Sequence, residues 1–321
     1  MNARYVLRRL VQAVVTLAGV VVVTFVLVQL APGDAADTLG GEGTPESVRQ
    51  LRADLRLDRP LPEQLASYGA RALRGDLGVS FSQPGRSVTS VIGEYLPNSL
   101  LLMGTAVTFS TALGVALALR AARRPRGPFD SAASVAALLG FAIPGFWLGQ
   151  MAILLLALRL DLFPIGLMTD PRAGYTGFDH VVDVAIHLSL PVLVLAVGEV
   201  AMVYRITRNG VLQERRKDYV RTALAKGVAS DQVLSEHALR NALLPLVTVL
   251  GARMGFLFSG AVLTERLFAW PGMGTLLVSA TEQRDRPVVL GIVVVVSFAL
   301  VAITFVTDMI YAVIDPRIRY D

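Results

Sequence analysis

Six stretches of 20 to 28 residues in this chain carry at most one charge each, and they constrain its fold more than any other feature. They cover residues 10–31, 96–119, 131–158, 185–204, 242–264 and 288–307, interrupted only by Glu199 in the fourth and Arg253 in the fifth. A helix that crosses a hydrocarbon core of about 30 Å needs about 20 apolar residues. Each run is long enough. Of the whole chain 54% is hydrophobic and 17% charged, too few charges to coat a soluble domain of 321 residues. The expected fold is an all-α polytopic membrane protein with six transmembrane helices. The first run has 22 residues, well beyond the roughly 7–15 of a signal peptide's apolar stretch, and reads as a retained helix.

Lysine and arginine place the ends. With the N-terminus inside, segments 1–9, 120–130, 205–240 and the tail after Asp308 hold 17 cations, against five in the short outer loops 159–184 and 265–287. The 66-residue outer segment 32–97 has seven arginines but exceeds the length over which the positive-inside bias operates. Both termini are therefore expected in the cytoplasm. This sorting also accounts for the net charge of +5 without nucleic acid, for which no motif is present. With no cysteine in the chain, thiolate chemistry is excluded.

The expected layout is a cytoplasmic start (1–9), a first span (10–31), an outer segment (32–97), a permease core (96–314) containing the inner loop 205–240, and a tail (315–321). In the outer segment Val48, Leu51 and Leu55 share helical spacing, Pro60 and Pro62 interrupt it, and Glu63 to Leu73 resume it. Two short surface amphipathic helices are expected; a solvated loop is the alternative.

The inner loop is the most informative segment. Asp218, Tyr219, Val220, Arg221, Thr222, Ala223, Leu224, Ala225 and Lys226 form a helical stretch with Val220, Ala223 and Leu224 on one face. Gly227 then ends it, since a left-handed residue costs little at glycine. Ser230 or Asp231 can cap a second short helix carrying Val233 and Leu234, with Glu236 and His237 following. Such a shape suits a knob fitting a partner's groove. A helix lying on lipid headgroups would read the same way.

This loop resembles the EAA loop of ABC importer permeases, in the version of the dipeptide, oligopeptide and nickel branch. Further blocks share the resemblance in the same order: Leu57 to Gln64, Arg74 to Gly78, Ala142 to Gly149, Glu265 with Phe268 to Gly274, and Asp315 to Tyr320. Two departures stand out. Arg221-Thr222-Ala223 replaces the general Glu-Ala-Ala, and the usual closing proline aligns near Arg240. The resemblance implies a type I importer permease fold. It also implies a second related permease, two ATP-binding-cassette ATPases that dock the loop, and an external binding protein that delivers di- or oligopeptides. A nickel or other small-solute permease is the nearest alternative, and a secondary transporter a more distant one. ATP and its magnesium would sit on the partner chains, with no cofactor bound here. In agreement, there is no phosphate loop, and the only lysines are Lys217 and Lys226.

Glu199 and Arg253 are intramembrane charges, each costing at least about 2.5–3.5 kcal/mol if unpaired. They form either an ion pair or separate contacts along the substrate path. Pro144-Gly145 should kink the third span as a hinge or a packing bend. Asp308 is expected to reach headgroup-level cations. His180, His187 and His237 do not make a compact metal site, and no catalytic cluster is evident.

Overall fold

The computed structural model describes residues 3–30 and 59–314, without the side chains at 3–5, 244, 252–260, 308 and 310–314. Among these residues regular structure is helical, apart from one isolated β-bridge between Val79 and Ser87. In chain order the helices are α1 (Ala3–Leu30), α2 (Leu61–Ala72), α3 (Val88–Arg123), α4 (Pro128–Ala142) and α5 (Gly145–Ala152, continued by π-helical turns Ile153–Arg159). They continue with α6 (Gly177–Glu214), α7 (Asp218–Ala225), α8 (Ser230–Gln232, continued by π-helical turns Val233–Ala238), α9 (Leu239–Leu267), α10 (Met273–Glu282) and α11 (Arg286–Ile314). Helices α1, α3, α6 and α11 are long and apolar enough to cross a membrane, and the α4–α5 pair makes a fifth candidate if it counts as one span. The fifth apolar run lies on α9.

The third run departs from a simple span. Its two halves, α4 and α5, meet at 100°. Ile143 and Pro144 are both extended, with ψ of 126° and 127°, so two consecutive residues leave the helix where a lone proline would only bend it. No side chain caps the first turn of α5, and Gly145, Phe146 and Trp147 are exposed.

Several boundaries also move. Helix α3 begins at Val88, ahead of the apolar run at 96, because Val88, Val91 and Ile92 are buried. Helix α2 contains Pro62 instead of being broken by it, since a proline in the first turn gives up an amide that has no partner there. The loop 265–287, expected outside, holds a helix, α10. The expected helix around 46–55 lies outside the described residues, as does the side chain of Asp308.

The described residues divide into two compact units, 3–30 and 59–99 with 271–306, and 100–270 with 307–314. In the first, Leu77, Val88, Val91, Met273, Leu276 and Val288 share a core, and Phe25, Tyr68 and Leu290 a second. Asp285, fully buried, accepts hydrogen bonds from the Ser80 hydroxyl at 2.5 Å, the Ser82 hydroxyl at 2.7 Å and the Ser82 amide at 2.9 Å. Burial pushes its carboxyl upward, but the serine donors outweigh burial and hold it below the usual aspartate range. In the same unit Asn98 donates to the Pro271 carbonyl at 2.8 Å, and the Met273 amide donates to the Ser99 hydroxyl at 2.7 Å.

In the second unit Ala118, Ala121, Ala137 and Ala201 bring α3, α4 and α6 together, the small-residue packing expected of helices in lipid. A Cβ on Gly114 would stand 2.7 Å from the Val203 side chain, which shows how closely α3 and α6 approach. Across α4 and α6 Arg208 donates from Nε and Nη2 to the two oxygens of Asp130 at 2.5 and 2.6 Å. The Asp130 side chain is 3% exposed.

Candidate functional site

The loop singled out by sequence folds as a compact module where the C-terminal ends of α3 and α6 meet the N-terminal end of α9. Helix α6 stops at Glu214, a short turn follows, and α7 starts at Asp218. Val220, Val233, Leu234 and Ala238 are buried, the last two in a core with Ala122 of α3, Val211 of α6 and Ala242 of α9. Around this core Arg215 donates to the Ala122 carbonyl, and Arg123 stands 3.3 Å from Asp231.

One hydroxyl joins three elements. Tyr219 on α7 donates to Glu214 Oε2 of α6 at 2.7 Å and accepts from Asn241 Nδ2 of α9 at 3.0 Å. Burial first, then the Glu214 carboxylate, pushes the Tyr219 phenol upward, so it remains a donor at any physiological pH. Lys217 donates to Glu214 Oε1 at 2.7 Å, and this bond raises its pKa. Glu214 and Asn241 were not singled out by sequence. A polar residue beside an apolar run gives no sign that it anchors a helix 22 positions away in the chain.

Gly227 adopts φ of +84°, the left-handed conformation that ends α7, and a Cβ there would meet nothing within 4 Å. Arg221, Thr222, Ala225, Lys226 and Asp231 are exposed, and Ala223 is half-buried. Leu224, expected on the packed face with Val220, is instead 45% exposed. Val220 takes the single inward position that an eight-residue helix offers here, which leaves Leu224 as an apolar projection among cations.

The second helix differs from expectation in two ways. Its N-cap residue is Ala229, with no capping bond from Ser230 or Asp231. It is also not a separate short helix. Gln232, Val233, Ala238 and Leu239 all keep right-handed helical dihedrals, so Ser230 runs on through π-helical turns into α9. No glycine or proline lies between Ser230 and Leu244 to stop it. The π-helical turns place Val233, Leu234 and Ala238 inward, while Ser235, Glu236 and His237 stay exposed.

The remaining candidates lie elsewhere. Glu199 is half-buried on α6, and the Arg253 side chain lies outside the described residues. Pro144 and Gly145 sit at the 100° break. His180 is exposed, while His187 Nδ1 lies 3.1 Å from Asp183 Oδ1. Among the described residues no three histidines or carboxylates are grouped to hold a metal. The module offers a braced surface and nothing that would break or form bonds.

Two family profiles match the chain. Residues 2–103 match the N-terminal membrane component of binding-protein-dependent transport systems, and residues 110–320 the binding-protein-dependent transport system inner membrane component. The dipeptide transport system permease protein DppB of Escherichia coli strain K12 is 37% identical over 339 residues, covering 99% of each chain. A protein of Brucella suis biovar 1 (strain 1330), provisionally named a peptide permease, is 38% identical over 319 residues, covering 98% of this chain and 99% of its own.

Proposed function

This chain belongs to the family of binding-protein-dependent transport system inner membrane components, and on that footing we propose that it forms half of a translocation pore for di- or oligopeptides. It is a non-catalytic permease subunit of the inner membrane. Its full-length similarity to a dipeptide permease favours peptide over nickel as the transported solute. The pore is completed by a second, related permease, and an external binding protein delivers the solute. Six spans put both termini in the cytoplasm, with α4 and α5 forming one broken span and α9 the fifth.

In this reading two ATPases supply the energy, and this chain meets one of them through α7, Gly227 and the start of α8. The observation that carries it is the contrast within that module. Its inner face is locked to three helices, while Leu224, Arg221 and Lys226 stand out unburied. A helix resting on headgroups would need a row of apolar residues outward, and α7 exposes only Leu224 and part of Tyr219, whose hydroxyl is already bonded to Glu214 and Asn241. When the ATPases close on ATP, movement of the knob passes to α3, α6 and α9 through the shared core, and the pore changes sides. Pro144-Gly145 gives the third span a place to flex, and Glu199 with Arg253 forms an intramembrane pair or lines the path.

The test is a mild-detergent pull-down of the intact chain from its own membrane, compared with Leu224→Asp/Arg221→Glu. Native chain should bring down two ATP-binding-cassette ATPases, and the variant should insert normally but lose them. Equal ATPase recovery from both would reject this surface as the coupling site. Uptake of a labelled dipeptide, competed by unlabelled dipeptide and not by nickel, would support the choice of solute.

A further inference from the structure

A cleft of about 460 Å³ opens in the first unit, at the ends of two candidate spans. Its walls include Gln29 of α1, Gln64 and Arg71 of α2, and Arg286 of α11, with Phe25, Leu77 and Leu290 among its apolar lining. Phe25 lies five residues inside the end of α1, and Leu290 four residues inside the start of α11. At 1.5 Å per residue both sit about 6–8 Å below the helix ends. The cleft is therefore polar at the ends of these helices and apolar further along them.

Most polar groups in the cleft are engaged. Arg286 donates to Gln29 at 3.1 Å, Gln29 to Gln64 at 3.1 Å, and Gln64 to the Arg59 carbonyl at 2.8 Å. Arg59 holds Glu63 at 3.5 Å, and Asp76 accepts from the Gly78 amide at 2.9 Å. Two strong donors stand among the groups left over. The Tyr68 hydroxyl is buried without a hydrogen-bond partner, and the exposed Arg71 guanidinium pairs with no acidic group among the described residues. A buried hydroxyl left unsatisfied in a native wall calls for an explanation. Arg71 acts on Tyr68 electrostatically, yet burial dominates and pushes the phenol up to about 12, so it can only donate.

We infer that this cleft holds the anionic phosphodiester headgroup of a membrane phospholipid. Arg71 takes the phosphate, and the Tyr68 hydroxyl gains an acceptor by a small turn of its side chain. The glycerol region meets Phe25 and Leu290, and an acyl chain follows the exposed Val22 and Val15, which share the Gln29 side of α1 at a spacing of seven residues. A free phosphate would leave the apolar lining unused, which favours the lipid as the source of the anion. This site is independent of the coupling module and of the solute transported.

Native mass spectrometry of the detergent-purified transport complex, titrated with phosphatidylglycerol or with phosphatidylcholine of the same acyl chains, tests it. One phosphatidylglycerol should be retained in preference to phosphatidylcholine. Arg71→Gln should weaken it about tenfold, Arg71→Lys much less, and Arg74→Gln, outside the cleft, not at all. Tyr68→Phe should melt no lower than the native chain when delipidated, yet gain less from added phosphatidylglycerol. Equal binding of both lipids, or an Arg71→Gln variant with undiminished affinity, overturns the inference. So does displacement of the lipid by inorganic phosphate at equal concentration, which would assign the cleft to a soluble anion. Loss of the external binding protein from Arg71→Gln, with lipid retained, would assign it to that partner instead.

Discussion

Removing one oxygen should loosen the proposed coupling module. In Tyr219→Phe the ring stays while the bonds to Glu214 at 2.7 Å and from Asn241 at 3.0 Å are lost. A hydrogen bond to a charged group contributes about 1.5–3 kcal/mol net, and a neutral one about 0.5–1.5. Both estimates must be lowered here. Tyr219 is 38% exposed, so water replaces part of what is lost, and Glu214 keeps Lys217. A local cost of about 1–2 kcal/mol remains, equivalent to a factor of roughly 5–30 in the opening equilibrium of α7. Hydrogen exchange of the intact complex reads this directly: amides of residues 218–226 should exchange about 5–30 times faster, while residues 205–214 stay as they are. Solute-stimulated ATP hydrolysis should fall in parallel, with basal hydrolysis unchanged. Exchange within twofold of the native rate would refute the reasoning and show that the buried Val220 alone secures the helix.

Three further outcomes are expected. Asp130→Asn leaves Arg208 facing a neutral amide in a site where the aspartate was 3% exposed, and it should cost about 3 kcal/mol, seen as a melting point lowered by roughly 6–12 °C in detergent. Arg208→Gln added to it should recover part of the loss. A Cβ at Gly227 meets no atom within 4 Å, so the main cost of Gly227→Ala is the positive φ, about 1–2 kcal/mol; membrane insertion should be normal and coupled ATP hydrolysis lost, as measured by expression level and by solute-stimulated ATPase rate. Asp285 has a depressed folded pKa, so its contribution is full above the ordinary aspartate value of about 4 and disappears as pH falls through the lower folded value. Melting scans from neutral pH to about pH 3 should show that acid loss in the native chain and not in Asp285→Asn.

Much of this was readable because lipid leaves the backbone few choices. Runs of 20 or more residues with at most one charge must be helical there, and among the described residues helices cover all six apart from Ile143 and Pro144. Gly227 was readable for a similar reason: a good helix former, then glycine, then polar residues makes a stop whose geometry is local. What depends on distant partners was not readable. Asp130 and Arg208 are 78 positions apart, and each looked like an ordinary charge at the end of an apolar run. The start of α3 at Val88 follows from burial against α10 and α11 residues such as Met273 and Val288, which no local pattern announces. Pro144 signalled a disturbance, but the 100° turn needs Ile143 to be extended as well, and isoleucine is common in both helices and strands. The continuation of α8 into α9 was hidden because a π-helical turn shifts the apolar spacing by one residue, so an unbroken helix looks like two.

The exposed start of α5 limits what can lie beside it. Its first-turn amides have no capping side chain, and against hydrocarbon each unsatisfied amide costs several kcal/mol. Water in a shared cavity or the backbone of a neighbouring subunit can meet them; acyl chains cannot. On the proposed reading this end of α5 therefore belongs at a wet cavity or against a neighbouring subunit, and acyl chains are the one surrounding that its backbone excludes.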